Sequence, residues 1–180
     1  MRAAAAVLAL VLAGCGFHLA GTRPLPPQLS SIYLDVVTPY RVSKPPLEAA
    51  LSSRLLRRGA RLAGSLGASR TLLRVSELKE SREVLSVDPF GKAVEYTLTT
   101  SVKYELLEGG TVLVAPDTLQ VSRDYSFNAQ QVLAKEAEEL RLQTFMQEEL
   151  ADLLLLRLEA LLAKPAPAPP AAPEGEPPGR

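Results

Sequence analysis

Few side chains in this 180-residue sequence are of types that could do chemistry on a substrate. Cys15 is the only cysteine and His18 the only histidine. Glu136, Glu138 and Glu139 form a carboxylate run, but at adjacent helical positions, whereas an acid–base pair must converge across a pocket. The sequence has no Gly-rich phosphate loop, no metal-spaced Cys or His cluster and no Gly-x-Ser-x-Gly elbow. It therefore predicts no enzyme, no metal site and no cofactor, and a solvated face for the three glutamates.

Cys15 follows a segment with the features of an export signal. Arg2 is the only charged residue before position 20, and residues 3–13 are an unbroken apolar run. This run is too short to cross a hydrocarbon core of about 30 Å as a helix. Leu12-Ala13-Gly14-Cys15 resembles the lipobox of bacterial lipoproteins. We therefore predict that residues 1–14 are a lipoprotein signal peptide and that the Cys15 thiol receives diacylglycerol in a palmitate-bearing anchor.

The alternative is an ordinary signal peptide with an incidental cysteine. A lone thiol would be a liability in an oxidising compartment, and lipidation removes it. By resemblance to bacterial lipoprotein sorting, Gly16 in place of Asp favours the outer membrane, with the chain on its periplasmic side. Without residues 1–14 the chain has 19 basic and 20 acidic residues, which gives no argument for nucleic-acid binding.

The mature sequence predicts a tether, one domain and a tail. Residues 15–29 hold glycine and closely spaced prolines without a hydrophobic period, which indicates a lipid-anchored tether. Residues 30–164 form the domain. Residues 165–180 contain seven prolines and no aromatic or β-branched residue. Such a tail cannot bury enough apolar surface to offset the cost of ordering it, so we predict that it is disordered.

Within the domain, the hydrophobic period changes between two and about 3.6 residues. Strands are predicted over Ile32–Val37, from Thr71 to Val87, from Val94 to Leu106 and over Val112–Tyr125. Turns at Asp88-Pro89-Phe90-Gly91 and Gly109-Gly110 join the last three strands as hairpins. One helix begins at Pro45-Pro46 and ends at Gly59, and a long one, with Asn128 as a possible cap, ends at Pro165.

The predicted order is β-α-β-β-β-α. A strand–helix–strand unit normally makes a right-handed parallel crossover, and two hairpins then add antiparallel strands. We therefore predict an α/β (α+β) two-layer sandwich: a four-stranded mixed sheet with both helices on its apolar face. The polar face of the third strand is rich in hydroxyl groups, from Thr97, Thr99, Thr100 and Ser101. This face is either ordinarily solvated or docks against another polar surface, such as the inside of a β-barrel.

Several short motifs resemble the LPS-assembly lipoprotein LptE family. They are Cys15-Gly16-Phe17-His18-Leu19, Glu95-Tyr96-Thr97-Leu98, Ser122-Arg123-Asp124-Tyr125 with Asn128-Ala129, Leu133-Ala134-Lys135-Glu136, and Met146-Gln147-Glu148-Glu149-Leu150. The resemblance spans residues 12–163, and the order and spacing of the motifs carry it. It implies the same β-α-β-β-β-α sandwich, a plug in the lumen of the outer-membrane barrel LptD, a role in assembling that barrel, and binding of lipopolysaccharide during its export.

The resemblance also implies where the lipid A phosphates bind. Lys135 matches the family's basic residue in the segment entering the last helix. The family's other basic residue, near the second hairpin turn, corresponds to Pro89, which has no charge. Lys92 and Arg82 are the candidates to replace it, because phosphates are bound by charge-assisted hydrogen bonds from Lys and Arg.

Two other functions remain open from the sequence. The lipobox and a small two-layer domain equally suit a scaffold or pilotin lipoprotein for another secretion pore. A lipid-anchored enzyme would need His18 or the helical carboxylates for catalysis.

Overall fold

A computed structural model describes residues 24–38, 43–126 and 132–163, with the side chains of the last range from Glu136 onward. The strands are β1 (Ser31–Val36), β2 (Arg61–Leu62), β3 (Thr71–Val87), β4 (Ala93–Glu108) and β5 (Thr111–Ser126). The helices are α1 (Pro46–Arg57) and α2 (Val132–Ala163). The predicted signal peptide, Cys15, the cap at Asn128 and the tail at 165–180 lie outside the described residues.

The strands form one mixed sheet in the order β2-β1-β3-β4-β5. β1 is parallel to β2 and β3, and the other pairs are antiparallel. The two-layer α+β class is confirmed, but the prediction of four strands misses β2. After α1, Gly59 turns the chain with a φ of 85°, and Arg61 then pairs with Ser31. Two residues show too little alternation to be recognised as a strand in the sequence.

Both helices pack on one face of the sheet and against each other. The core includes Leu51 and Leu55 of α1, Met146, Leu150, Leu154 and Leu158 of α2, and Leu73, Val75, Leu98, Val102 and Leu106 of the sheet. Leu29, in the predicted tether, is fully buried, so the packed domain begins before residue 30. None of the described helices is both long and apolar enough to span a bilayer.

A bulge in β3 changes which residues face the helices. Ser76 pairs with Lys103 but Lys79 pairs with Ser101, so β3 has one extra residue there. Glu77, inside the bulge, has a φ of 51°. An extra residue reverses the alternation of the strand. Before the bulge Leu73 and Val75 face the core, and after it Arg82 lies on the helix side.

The two predicted hairpin turns are confirmed. Asp88 Oδ1 accepts hydrogen bonds from the backbone N–H groups of Phe90 (2.8 Å) and Lys92 (2.9 Å). Gly109 and Gly110 both have positive φ, 57° and 88°, as a two-residue hairpin turn requires. β5 has a bulge at Pro116: Tyr104 pairs with Asp117 but Leu106 pairs with Val114. β5 is an edge strand, where proline is tolerated.

The predicted face is wrong for one hydroxyl residue of β4. Thr97, Thr99 and Ser101 lie on the open face of the sheet, but Thr100 is only 1 % exposed and pairs with Val121 on the helix side. Successive residues of a strand point to opposite faces, so Thr99 and Thr100 cannot share one. Thr100 therefore belongs to the core.

The position of α2 gives a direct test of the core. Leu154→Ala should lower the free energy of unfolding by about 2–5 kcal/mol, because the fully buried side chain leaves a cavity. Leu156, two residues away, is 64 % exposed. Leu156→Ala should change the free energy of unfolding by less than about 0.5 kcal/mol. Urea unfolding followed by circular dichroism measures both, and equal losses would contradict the packing described.

Candidate functional site

The β3–β4 hairpin and the N-terminal half of α2 meet through a charged cluster at one end of the sheet. Arg82 Nη1 donates to both carboxylate oxygens of Glu139, at 2.8 and 3.2 Å. Tyr125 Oη donates to Glu139 Oε2 at 2.7 Å. One glutamate of α2 is thereby tied to β3 and β5 at once, which fixes the helix across both strands.

Two tyrosine rings support the cluster from the sheet. Tyr96 and Tyr125 are cross-strand partners whose rings stack with centroids 5.7 Å apart. The Arg82 guanidinium lies 4.8 Å above the Tyr96 ring, which adds a cation–π attraction to its ion pair. We name this set the Arg82–Glu139 cluster: Arg82, Tyr96, Tyr125 and Glu139.

Burial and the neighbouring carboxylate perturb Tyr125. Loss of solvation on burial, followed by the hydrogen bond to Glu139, raises the pKa of the Tyr125 phenol to about 12. The hydrogen bond to Glu139 also raises the pKa of Arg82 above its ordinary value. At neutral pH the phenol is therefore a neutral donor and the guanidinium is charged, as the contacts require.

The predicted solvated face is wrong for one of its three glutamates. Glu136 and Glu138 are exposed, but the side chain of Glu139 is only 17 % exposed and has defined partners. These contacts give Glu139 a structural role, since they tie α2 to β3 and β5. Among the described residues, no group of three or more His, Cys, Asp or Glu side chains could hold a metal ion.

Further polar contacts continue along α2. Gln147 accepts from the Leu47 backbone N–H at 3.1 Å and donates to Glu80 at 2.8 Å, so it joins the start of α1 to β3. Arg123 Nη2 donates to Glu149 at 2.8 Å, and the Cζ atom of Arg123 lies 5.9 Å from the centroid of the Phe145 ring.

At the other end of the helix pair, two arginines of α1 also contact α2. Arg54 forms an ion pair with Asp152, and Arg58 forms one with Glu159. Both helices are therefore fixed by charged as well as apolar contacts.

The structure brings three predicted basic positions to the same end of the sheet. Lys92 follows the hairpin turn and is exposed. Arg82 is 45 % exposed, but its charge is already paired with Glu139. Lys135 lies in the first turn of α2, four residues before Glu139 and thus about 6 Å from it along the helix axis. The side chain of Lys135 and all of Cys15 lie outside the described residues, so their predicted roles stay predictions.

The cluster residues Glu139, Tyr125 and Tyr96 were missed as site residues. A signal existed for two of them, because Tyr96 and Tyr125 lie within the motifs that carry the family resemblance. Nothing in the sequence distinguished Glu139 from Glu138, since only the rotation of α2 on the sheet decides which of them is buried.

The open face of the sheet is polar along the middle of β4 and the facing part of β5. Thr97 Oγ1 donates to Asp124 at 2.6 Å, and the hydroxyls of Thr99 and Ser122 are 3.0 Å apart. Glu77, within the β3 bulge, bonds Lys79 and Lys103, and these two lysines lower its pKa. These groups can hydrogen-bond to another polar surface.

The Arg82–Glu139 cluster can be tested by a neutral isostere. Glu139→Gln should lower the free energy of unfolding by about 1–2 kcal/mol, because charge-assisted bonds to a partly exposed arginine are lost. Amide hydrogen exchange should speed up most in the N-terminal half of α2. Glu138→Gln, at an exposed neighbour, is the matched control and should change stability by less than about 0.5 kcal/mol. Equal effects would contradict the role of Glu139.

The raised pKa of the Tyr125 phenol predicts that the stability of the fold depends on pH. Between pH 10 and about 12 the unfolded chain ionises its tyrosine while folded Tyr125 keeps its proton. The unfolded state then binds fewer protons, so the stability from this group is lost as the pH rises through that window. Tyr125→Phe should remove this part of the slope. Urea unfolding at pH 9.5 and 11 measures it, and parallel slopes for the two proteins would contradict the assignment.

Comparison with known proteins gives a consistent result. The family model described as LptE, lipopolysaccharide-assembly, matches residues 29–158. The LPS-assembly lipoprotein LptE of Pectobacterium atrosepticum is 32 % identical over 152 residues, covering 83 % of this chain and 79 % of that protein. The one from Photorhabdus laumondii is 31 % identical over 150 residues, with the same coverage of both chains.

Solved structures show the same fold. Lipoprotein B from Nitrosomonas europaea, determined by NMR, has a TM-score of 0.64 at 22 % identity and covers 81 % of this chain and 91 % of its own. A minor lipoprotein from Acinetobacter baumannii has a TM-score of 0.60 at 24 % identity, with 76 % and 94 % covered. The fold is thus shared with these lipoproteins, and the family model over residues 29–158 together with the relatives at 31–32 % identity shows that the chain belongs to the LptE family of lipopolysaccharide-assembly lipoproteins.

Proposed function

We propose that this chain binds lipopolysaccharide during its export and serves as the non-enzymatic plug and assembly partner of an LptD-type outer-membrane barrel. It would be held by the lipid on Cys15 at the periplasmic side of the outer membrane. The observation that carries the proposal is the match to the lipopolysaccharide-assembly family over residues 29–158. The geometry supports it in two places, the basic end of the sheet and its open polar face.

The basic end supports a phosphate site. The start of α2 and the β3–β4 turn are held together by the Arg82–Glu139 cluster, so Lys135 and Lys92 belong to the same end of the domain. No ion pair joins Lys92 to any other described residue, and its ammonium is available to an anion. Arg82 would have to share its guanidinium with Glu139, so we expect Lys135 and Lys92 to contribute more to phosphate binding than Arg82.

The open face supports a polar partner. Thr97, Thr99 and Ser101 line β4, and Ser122 and Asp124 continue the row on β5. Hydroxyl and carboxylate groups hydrogen-bond readily to the polar side chains that line the interior of large barrels. A plug needs such a face, because an apolar one would aggregate before it met the barrel.

Charge reversal tests the phosphate site. Lys135→Glu should weaken binding of purified lipopolysaccharide to the mature lipidated chain in nanodiscs by about tenfold, because charge-assisted bonds to phosphate become repulsive. Arg61→Glu makes the same charge change at the opposite end of the sheet and should have less than about a twofold effect. Equal losses would show that net charge matters and not this site. Lys92→Ala and Arg82→Ala then rank the hairpin residues.

The proposed barrel partner is tested by purification from cells. Purification of the lipidated chain from outer membranes should recover an LptD-type barrel. Recovery of another secretion pore instead would favour the scaffold or pilotin reading, and recovery of inner-membrane proteins alone would contradict the proposal.

A further inference from the structure

The β3–β4 hairpin ends in exposed apolar side chains. Val84, Leu85, Val87 and Phe90 are 56, 54, 58 and 87 % exposed. We name these four residues the apolar tip. They are four of the thirteen large exposed hydrophobic residues in the described part of the chain, although they occupy only seven positions. They lie on both sides of the hairpin, since Val84 pairs with Tyr96 and Val87 with Ala93. A group of exposed apolar side chains at one end of a domain marks a binding surface or an aggregation risk.

The tip extends beyond the helix layer. Val84 pairs with Tyr96 and so lies on the helix side, next to Arg82, yet it is more than half exposed. From Glu139, α2 continues toward the tip for seven residues, about 10 Å. From Arg82, β3 continues for five residues before the turn, about 17 Å. The strand therefore outruns the helix.

We propose, on the basis of the proposed function, that the apolar tip binds the fatty acyl chains of lipopolysaccharide. The charge arrangement fits an amphiphile. Asp88 directs its carboxylate back into the turn, where it accepts from the N–H groups of Phe90 and Lys92. Lys92 is exposed two residues beyond Phe90, so a cation lies next to the apolar side chains. Lipopolysaccharide has the complementary arrangement, with phosphates next to its acyl chains. Pro89 adds apolar surface where the family resemblance implies a cation.

The predicted lipid anchor on Cys15 does not explain the apolar tip as a contact with the anchoring membrane. The described chain enters at the opposite end of the sheet, where Ile32 pairs with Thr71. The sixteen steps from Thr71 to Val87 span about 50 Å. The nine steps from Cys15 to Pro24 reach at most about 30 Å. The anchored leaflet is thus not brought to the tip by the tether.

The test compares two lipids and two double variants of the mature lipidated chain in nanodiscs. Val87→Ser with Phe90→Ser should bind acylated lipopolysaccharide about tenfold more weakly, because apolar contact area is lost. Binding of fully deacylated lipopolysaccharide, which keeps the sugars and phosphates, should change less than about twofold. Val112→Ser with Leu113→Ser, exposed at the other end of the sheet, is the control and should leave both affinities unchanged.

A second readout does not depend on the folding of these variants. A photo-crosslinking p-benzoylphenylalanine in place of Phe90 should capture lipopolysaccharide in cells, and one in place of Val112 should not. Unchanged affinity of the tip variant, equal loss for both lipids, or an equal loss of binding to phospholipid vesicles free of lipopolysaccharide would overturn the acyl-chain role. If Lys135→Glu still weakened binding, the proposed function would stand. A parent chain that bound neither lipid would overturn both.

Discussion

The extra residue that β3 carries at Glu77 determines how the charged end of this domain is built. Without it, the alternation set by Leu73 and Val75 would put Arg82 on the open face of the sheet. The bulge reverses that alternation, so Arg82 reaches Glu139 on α2 and stacks over Tyr96. A left-handed backbone at a glutamate is unfavourable by itself. It is compensated here by the cluster formed on the helix side and by the bonds from Lys79 and Lys103 to Glu77.

Charged contacts hold α2 at several heights of the sheet. Glu139 bonds to β3 and β5, Gln147 to β3 and the start of α1, Glu149 to β5, and Asp152 to α1. Leu150 and Leu154 fill the core between them. Solvent-exposed ion pairs contribute little to stability. Their geometry matters more. Each pair fixes the rotation of α2 about its axis and its position along the sheet, which apolar packing alone would define less sharply. The N-terminal turn of α2, with Lys135, is positioned by these contacts.

The two faces of the sheet are therefore specialised differently. The helix side is closed by apolar packing and ends in a cluster that joins β3, β5 and α2. The open side is a row of hydroxyl, amide and charged groups suited to a polar partner. Beyond the helix layer, the hairpin exposes apolar side chains beside Lys92. The proposed partner, a polar barrel wall, and the proposed amphiphilic cargo would need both kinds of surface, and here the two lie in different parts of the molecule.

Local patterns in the sequence were enough for both helices, the four longer strands, the turns and the family. Each of these patterns depends on a few neighbouring residues, so it can be recognised without tertiary information. They are the period-two and helical stripes, the turns Asp88-Pro89-Phe90-Gly91 and Gly109-Gly110, and Gly59. The sequence did not predict four other features: the two-residue β2, the burial of Leu29, the core position of Thr100 and the pairing of Glu139. Each depends on contacts between residues distant in the chain, on a register shift, or on the rotation of a helix against the sheet. Basic residue types identified the candidate site, but only the fold determined that Arg82 is already paired and that the hairpin ends in an apolar tip.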